Sequence, residues 1–368
     1  MNIIIAILML CVIVVAHELG HMLVAKANHI EVKEFWVGFG PKICGFEAGG
    51  TKYSLRIIPL GGACVFDDPE ELEEADGMNT EAPEKTPLIR YDKRGHQLKN
   101  YREAGVWARI ATLFAGPVFN FIFAFLMGLI VMSFSYMPSS KVVSVTEDSP
   151  AMEAGLEAGD DIVRINGSRV YLYPEVSLAI QTGVGSPLSV EYKRDGQTYK
   201  TEIIPEMNDE YGYYMIGVSF GGDEEANTTP ISVVTGSYKY VRYMVKMTYL
   251  SFKMLLNGQA SAKDLSGAVG IVSVVSDEYE AASAISPLAV FVSMLNIAVL
   301  ISANLGVVNL LPFPALDGGK IILGFYEVIT GRKVNEKVEG FINLIGMVLL
   351  MMLFVFTMFN DVFKLLGM

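Results

Sequence analysis

His17 and His21 stand four residues apart. On a helix such residues share a face, so both imidazoles would project from one side, close enough to bind a single divalent ion. Glu18 directly follows the first histidine, where its carboxylate can take a proton from a water attacking a carbonyl at the metal and later hand it to the leaving amine. His17-Glu18-Leu19-Gly20-His21 therefore reads as zinc-assisted hydrolysis, with two ligands and a general base. Gly20 leaves the shared face uncluttered. A hydrolytic zinc takes three protein ligands and keeps one position open, so a third ligand is required. The extension that would supply a nearby histidine is absent, because Val24 and Ala27 stand where Gly and His are needed. His29, Glu31, Glu34, Glu47, His96 and Asp317 are the candidates. Asp317 is preferred, since it ends the run Asn309-Leu310-Leu311-Pro312-Phe313-Pro314-Ala315-Leu316-Asp317, where prolines break an apolar helix and Gly318 and Gly319 follow. Irregular backbone at membrane depth is tolerated where it is buried in protein or lines a wet cavity, which suits a catalytic metal. His29 and His96 lie in polar connections and read as surface histidines.

The elements that must carry these groups are apolar. Of 368 residues 52% are hydrophobic and 18% charged, and the mean hydropathy is +0.39. A helix needs roughly 20 apolar residues to cross a hydrocarbon core of about 30 Å. Four stretches qualify: Asn2 to Ala25, Ile110 to Met137, Pro287 to Leu311 and Phe341 to Leu366. The first lacks a basic leader and a small-residue cleavage site and reads as a retained helix. Placing two imidazoles and a carboxylate in it costs several kcal/mol unless a metal or partner compensates, so intramembrane ionisable groups point to function. The net charge of −12 excludes nucleic acid as a partner, because phosphate binding needs clustered Lys and Arg. Cys11, Cys44 and Cys64 suggest no disulfide framework.

Basic residues near helix ends set orientation when loops are short. Lys26, Lys33 and Lys42 follow the first helix; Arg90, Lys93, Arg94, Lys99, Arg102 and Arg109 precede the second; Lys320, Arg332, Lys333 and Lys337 separate the third and fourth. Both termini and the long segment between helices two and three are then extracytoplasmic, with the chemistry towards the cytoplasmic side. The expected divisions are 1–137, the first half of a catalytic membrane core with a β segment at 52–66; 138–222, a small α/β insert; 223–286, an amphipathic connector with a helix from Ser237 to Asn257; and 287–368, the second half of the core. The acidic stretch from Asp67 to Glu84 reads as a solvated connection.

Within the insert, Ser149-Pro150-Ala151-Met152-Glu153-Ala154-Gly155-Leu156 and Ala158-Gly159-Asp160-Asp161-Ile162-Val163 resemble the core of bacterial PDZ domains. With His17 to His21, Tyr53 to Gly62, Gly116-Pro117-Val118-Phe119-Asn120 and Asn309 to Gly319 in that order, the chain resembles the site-2 proteases, and more narrowly their bacterial sigma-factor-regulating group with one PDZ domain. The resemblance implies a polytopic α-helical membrane protein with about four transmembrane helices, a membrane-associated β segment and an inserted α/β PDZ-like domain. It implies Zn2+ on His17, His21 and Asp317, catalysis by Glu18, and substrate-backbone contacts at Asn120, Asn309, Gly61 and Gly62. Its implied partners are the lipid bilayer, single-span membrane proteins such as an anti-sigma factor or signal-peptide remnant, and a site-1 protease acting upstream. The family follows Pro-Leu-Gly-Gly with Tyr, where this chain has Ala63. A transmembrane substrate must unwind before hydrolysis, and the segment from Ser54 to Leu60 is the expected acceptor strand.

Two other functions compete. A PDZ scaffold would have no need of a base beside two ligands, and a metal transporter would carry a relay of polar residues through the remaining helices, which this sequence lacks.

Overall fold

The structure is a computed structural model, and it describes residues 2–66, 95–135, 137–223, 229–258 and 267–365. The acidic stretch at 67–84 lies outside them. The chain divides into two units, 1–124 with 251–368, and 125–250.

In the first unit, α1 (Asn2–Ala27) is apolar on every side from Ile4 to Ala16, as suits a membrane span, and carries His17, Glu18 and His21 in its second half. It packs against α6 (Ala268–Ser283) and α7 (Pro287–Asn309), with Ala6, Val275 and Ile297 fully or nearly buried between them. Helix α2 (Val106–Phe134) comes very close to α1 at Gly20, where a Cβ would sit 2.5 Å from the Ala115 carbonyl oxygen. Gly20 therefore does more than clear a face, since it lets two backbones touch. A short helix, α8 (Asp317–Thr330), follows the proline-rich break, and α9 (Glu336–Leu365) closes the chain. Among the described residues, four helices are long and apolar enough to cross a membrane: Ile4–Ala27, Val106–Phe134, Pro287–Asn309 and Glu336–Lys364. The last begins five residues before the apolar run because Glu336 and Glu339 sit in its first turn, where carboxylates favour the positive end of the helix dipole. Its exposed face, including Leu344, Met351, Phe354 and Phe359, is apolar as a lipid-facing surface would be.

Helix α6 was not expected. Its N-cap is Gly267, which has no side chain to offer, and the cap is supplied from α9: Asp361 Oδ2 accepts from the amides of Gly267 at 2.9 Å and Gly270 at 2.7 Å.

The β segment is larger than the expected 52–66. Strands β1 (Glu34–Ala48) and β2 (Thr51–Val65) meet at a Gly49-Gly50 turn, both residues at positive φ. The register folds back on itself: Phe35 is opposite both Tyr53 and Cys64, and Tyr53 is opposite both Phe35 and Phe46. Residues 52–55 are thus flanked on both sides, whereas 62–65 pair with 34–37 on one side.

The second unit holds the insert. Strand β3 (Met137–Val145) pairs with β10 (Val218–Asp223) at one side and with β4 (Asp161–Ile165) at the other; β4 continues to β6 (Leu188–Arg194) and β7 (Gln197–Ile203), β5 (Ser168–Arg169) pairs with β4, and β8 (Glu206–Asn208) pairs with β9 (Tyr213–Met215), all antiparallel, while helices α3 (Pro150–Glu153) and α4 (Tyr173–Gly183) follow β3 and β5. Its core includes Val142, Ile162, Val176, Leu188, Val190 and Ile203. Helix α5 (Pro230–Leu256) starts seven residues before the expected Ser237, because Pro230 presets the first turn and Thr229 Oγ1 accepts from Ser232 N. Its buried face does not lie free: Ser237 Oγ donates to the Phe125 carbonyl at 2.8 Å.

Candidate metal centre

His17 and His21 project from one face of α1 and are 7% and 6% exposed. Their Nε2 atoms lie 3.1 Å apart, and Asp317 Oδ2 is 3.2 Å from the first and 3.3 Å from the second. Asp317 reaches them as the first residue of α8, after a tight return. There a Cβ on Gly318 would collide with the Leu310 and Leu311 carbonyls, and Ala315 is held at φ 72°. Among the described residues this trio gathers its ligand atoms within 4.8 Å.

The donor set fits zinc. Tetrahedral ligands about 2.0–2.1 Å from a metal lie roughly 3.3 Å from one another, which is the spacing found. His21 Nδ1 is 2.7 Å from the Thr112 carbonyl oxygen. A carbonyl can only accept, so Nδ1 carries the hydrogen and Nε2 presents a bare lone pair. Asp317 Oδ2 is buried with no hydrogen-bond donor. Burying such acceptors face to face is costly unless a cation lies among them.

Glu18 is half-buried beside the trio, and its Oε2 accepts from the backbone N–H of Cys64 on β2 at 2.9 Å. Gly62 adjoins it, because a Cβ there would be 3.8 Å from Glu18 Cγ and 2.8 Å from the Trp36 carbonyl. Gly61, at φ 82°, turns the strand against the Phe39 ring. Asn309, the last residue of α7, places Nδ2 3.4 Å from His17 Nε2 and is partly open. Asn120 is fully buried, with its amide nitrogen 3.1 Å from His17 Nδ1.

The other ligand candidates lie elsewhere. The His29 and His96 rings are 4.4 Å apart in a tilted stack. Glu31 pairs with Lys33, and Glu34 accepts from Ser54 and faces Arg56. Glu47 stands opposite Lys52 on the hairpin.

Sequence reasoning missed three contributors. Thr112 and Cys64 act through backbone atoms, which no residue type announces. Gly116 had a signal in its spacing, four before Asn120 on α2: a Cβ there would collide with His21 Nε2 and His17 Cε1, so only hydrogen leaves room for both imidazoles.

The profile of Peptidase family M50 matches residues 5–353. A Clostridium acetobutylicum protein provisionally named a zinc metalloprotease is 33% identical over 364 residues, 98% of this chain and 97% of that one. The regulator of sigma-W protease RasP of Bacillus subtilis is 28% identical over 410 residues, 95% of each chain. Among solved structures, the PDZ domain of an SdrC-like protein from Listeria monocytogenes matches at 29% identity with a TM-score of 0.21, covering 23% of this chain and 90% of that one. On the strength of the full-length matches the chain belongs to Peptidase family M50, and it is a multi-pass zinc metalloprotease of the intramembrane, site-2 type.

Proposed function

We propose that His17, His21 and Asp317 hold the zinc and that Glu18 is the general base in hydrolysis of peptide bonds within transmembrane segments of single-span proteins. The carrying observation is the convergence of two imidazole nitrogens and one carboxylate oxygen at 3.1–3.3 Å, the oxygen without a hydrogen-bond donor. Bound zinc supplies a Lewis acid that polarises the scissile carbonyl and acidifies water. Glu18, held by the Cys64 amide, takes the proton from the attacking water and delivers it to the leaving nitrogen. Asn309 borders the open side of the trio and is placed to donate to the substrate carbonyl oxygen as it gains charge.

Of the expected acceptor Ser54 to Leu60, residues 54 and 55 already have partners on both sides, and we place the added substrate strand alongside 62–65, starting at Gly62 next to the base. The substrates we propose are single-span proteins such as an anti-sigma factor or a signal-peptide remnant. The Bacillus relative's name, a regulator of sigma-W protease, supports the first. A site-1 protease would trim them first, and the insert at 138–222 would restrict entry. Segments 1–137 and 287–368 are the two halves of the catalytic core, joined by a connector at 223–286.

Basic residues flanking the spans support a topology with both termini and the insert outside and the metal towards the cytoplasm. In a background without native cysteines, residues introduced at Lys99 and Asn335 should resist impermeant thiol reagents in intact cells while one at Asp195 reacts. The reverse labelling would overturn the orientation.

The function is tested by purified Glu18→Gln, an amide close in shape to the carboxylate that cannot accept the proton. It should retain zinc and lose nearly all cleavage of a single-span substrate. Wild-type turnover by that variant would remove Glu18 from the mechanism.

A further inference from the structure

Both zinc-facing imidazoles touch α2 with their other nitrogen, and the two contacts differ. His21 Nδ1 meets the Thr112 carbonyl, an obligate acceptor, and its tautomer follows. His17 Nδ1 meets the side-chain amide of Asn120, 3.1 Å away, which can accept through oxygen or donate through nitrogen. Amide nitrogen and oxygen have the same shape, and their placement is decided by the hydrogen-bond network rather than by packing.

The network at His17 decides it. If the amide nitrogen donates to Nδ1, the single hydrogen of neutral His17 sits on Nε2 and points among His21 Nε2 and Asp317 Oδ2, where a metal must go. If the amide oxygen accepts from Nδ1–H, Nε2 presents its lone pair alongside that of His21. No donor holds Asn120 Oδ1 where it stands, since that atom is buried without a partner. The side chain itself is kept in place by its backbone, whose carbonyl accepts from Ser302 Oγ of α7 at 2.8 Å.

We propose that Asn120 is a positioning residue for the metal site: its amide oxygen accepts from His17 Nδ1–H, fixing the tautomer and ring angle that expose Nε2 to zinc. The proposal deepens the zinc assignment and rests on His17 being a ligand. It replaces the substrate-contact role that the family resemblance implies for Asn120, because a fully buried amide committed to His17 cannot also reach a substrate backbone.

The two roles separate in zinc affinity, measured by chelator competition on the purified full-length protein in detergent without substrate. Asn120→Leu removes the acceptor and should weaken zinc roughly 10–100-fold, the usual effect of losing an outer partner of a ligating histidine. Asn120→Asp is isosteric and, as a carboxylate, can only accept, so it should restore affinity to within a few-fold of wild type. Wild-type affinity in Asn120→Leu would overturn the proposal and return Asn120 to substrate contact. Equal weakening in both variants would also overturn it, because a nitrogen donor or plain packing would then be what His17 needs. His17→Ala is the control that tells this failure from that of the zinc assignment: if it too binds as wild type, His17 is not a ligand. Should Asn120→Leu fail to fold, the smaller Asn120→Ala, which also lacks an acceptor, takes its place in the same comparison.

Discussion

The backbone N–H of Cys64 donates to Glu18 Oε2 across 2.9 Å, so the carboxylate proposed as general base is held by the outermost stretch of the β segment. That amide is turned towards the metal site instead of into the ladder with Phe35.

Proline at position 64 deletes this donor without breaking a ladder bond, a setting in which a strand tolerates it. A hydrogen bond to a charged group contributes about 1.5–3 kcal/mol, so Cys64→Pro should lower kcat roughly 10–100-fold with zinc content intact. Cys64→Ala keeps the N–H and should turn over normally. Equal loss in both variants would assign the effect to the thiol.

At Gly116, alanine would drive a methyl group into both imidazoles. Overpacking of this kind costs about 1–3 kcal/mol. Zinc affinity of Gly116→Ala should fall at least about tenfold, as read by metal content after dialysis against a weak chelator, and unchanged retention would show that α2 yields at this point.

Asp160 of the insert is fully buried and gripped by Arg194, with Nε to Oδ1 at 2.7 Å and Nη2 to Oδ2 at 2.8 Å, while Glu157 N donates at 2.9 Å. Burial pushes its pKa up, but these hydrogen bonds outweigh it and hold the carboxyl below the usual aspartate value. A depressed folded pKa means stabilisation that is complete above the unfolded value of about 3.9 and fades as pH falls through the lower folded value. Amide exchange in β4 and β6 should therefore quicken on acidification below about pH 4. Asp160→Asn should be less stable at neutral pH and should lose its share of that acid dependence.

Glu175, also fully buried, accepts from Arg242 and Lys246 of α5, each at 2.9 Å, and from the Tyr171 amide at 2.8 Å. Removing one partner of a buried ion pair costs about 3–5 kcal/mol, and less here because both cations are partly hydrated. Glu175→Ala should expose α5 to trypsin at Arg242 and Lys246 while the insert's own strands stay protected. Unaltered cutting would mean that apolar packing alone seats the helix.

What the sequence made legible was local or periodic. That His17 and His21 share a face was readable because four residues make about one turn, and the break that brings Asp317 to them because Pro312, Pro314 and the glycine pair interrupt an otherwise continuous apolar run. Residues 34–48 were not read as strand: Gly38, Gly40 and Gly45 interrupt the alternation, and the structure uses the first two at φ 85° where the register slips. Helix α6 stayed hidden because its cap is Asp361, more than ninety residues along the chain. Asn120 was singled out by the family resemblance, yet its neighbour could not be known until α1 and α2 were brought together at Gly20.

The dependence of both imidazoles on α2 bears on transplanting this chemistry. A designer who grafts the five residues from His17 to His21 onto another apolar helix carries over the proposed ligands but not the Thr112 carbonyl that orients His21, nor the hollow at Gly116 into which the rings fit. The smallest portable unit is a pair of crossed helices, matched at Gly20 and Ala115 and read out at Thr112, Gly116 and Asn120. Directed evolution for a different metal should find its gains on the helix that donates no ligand.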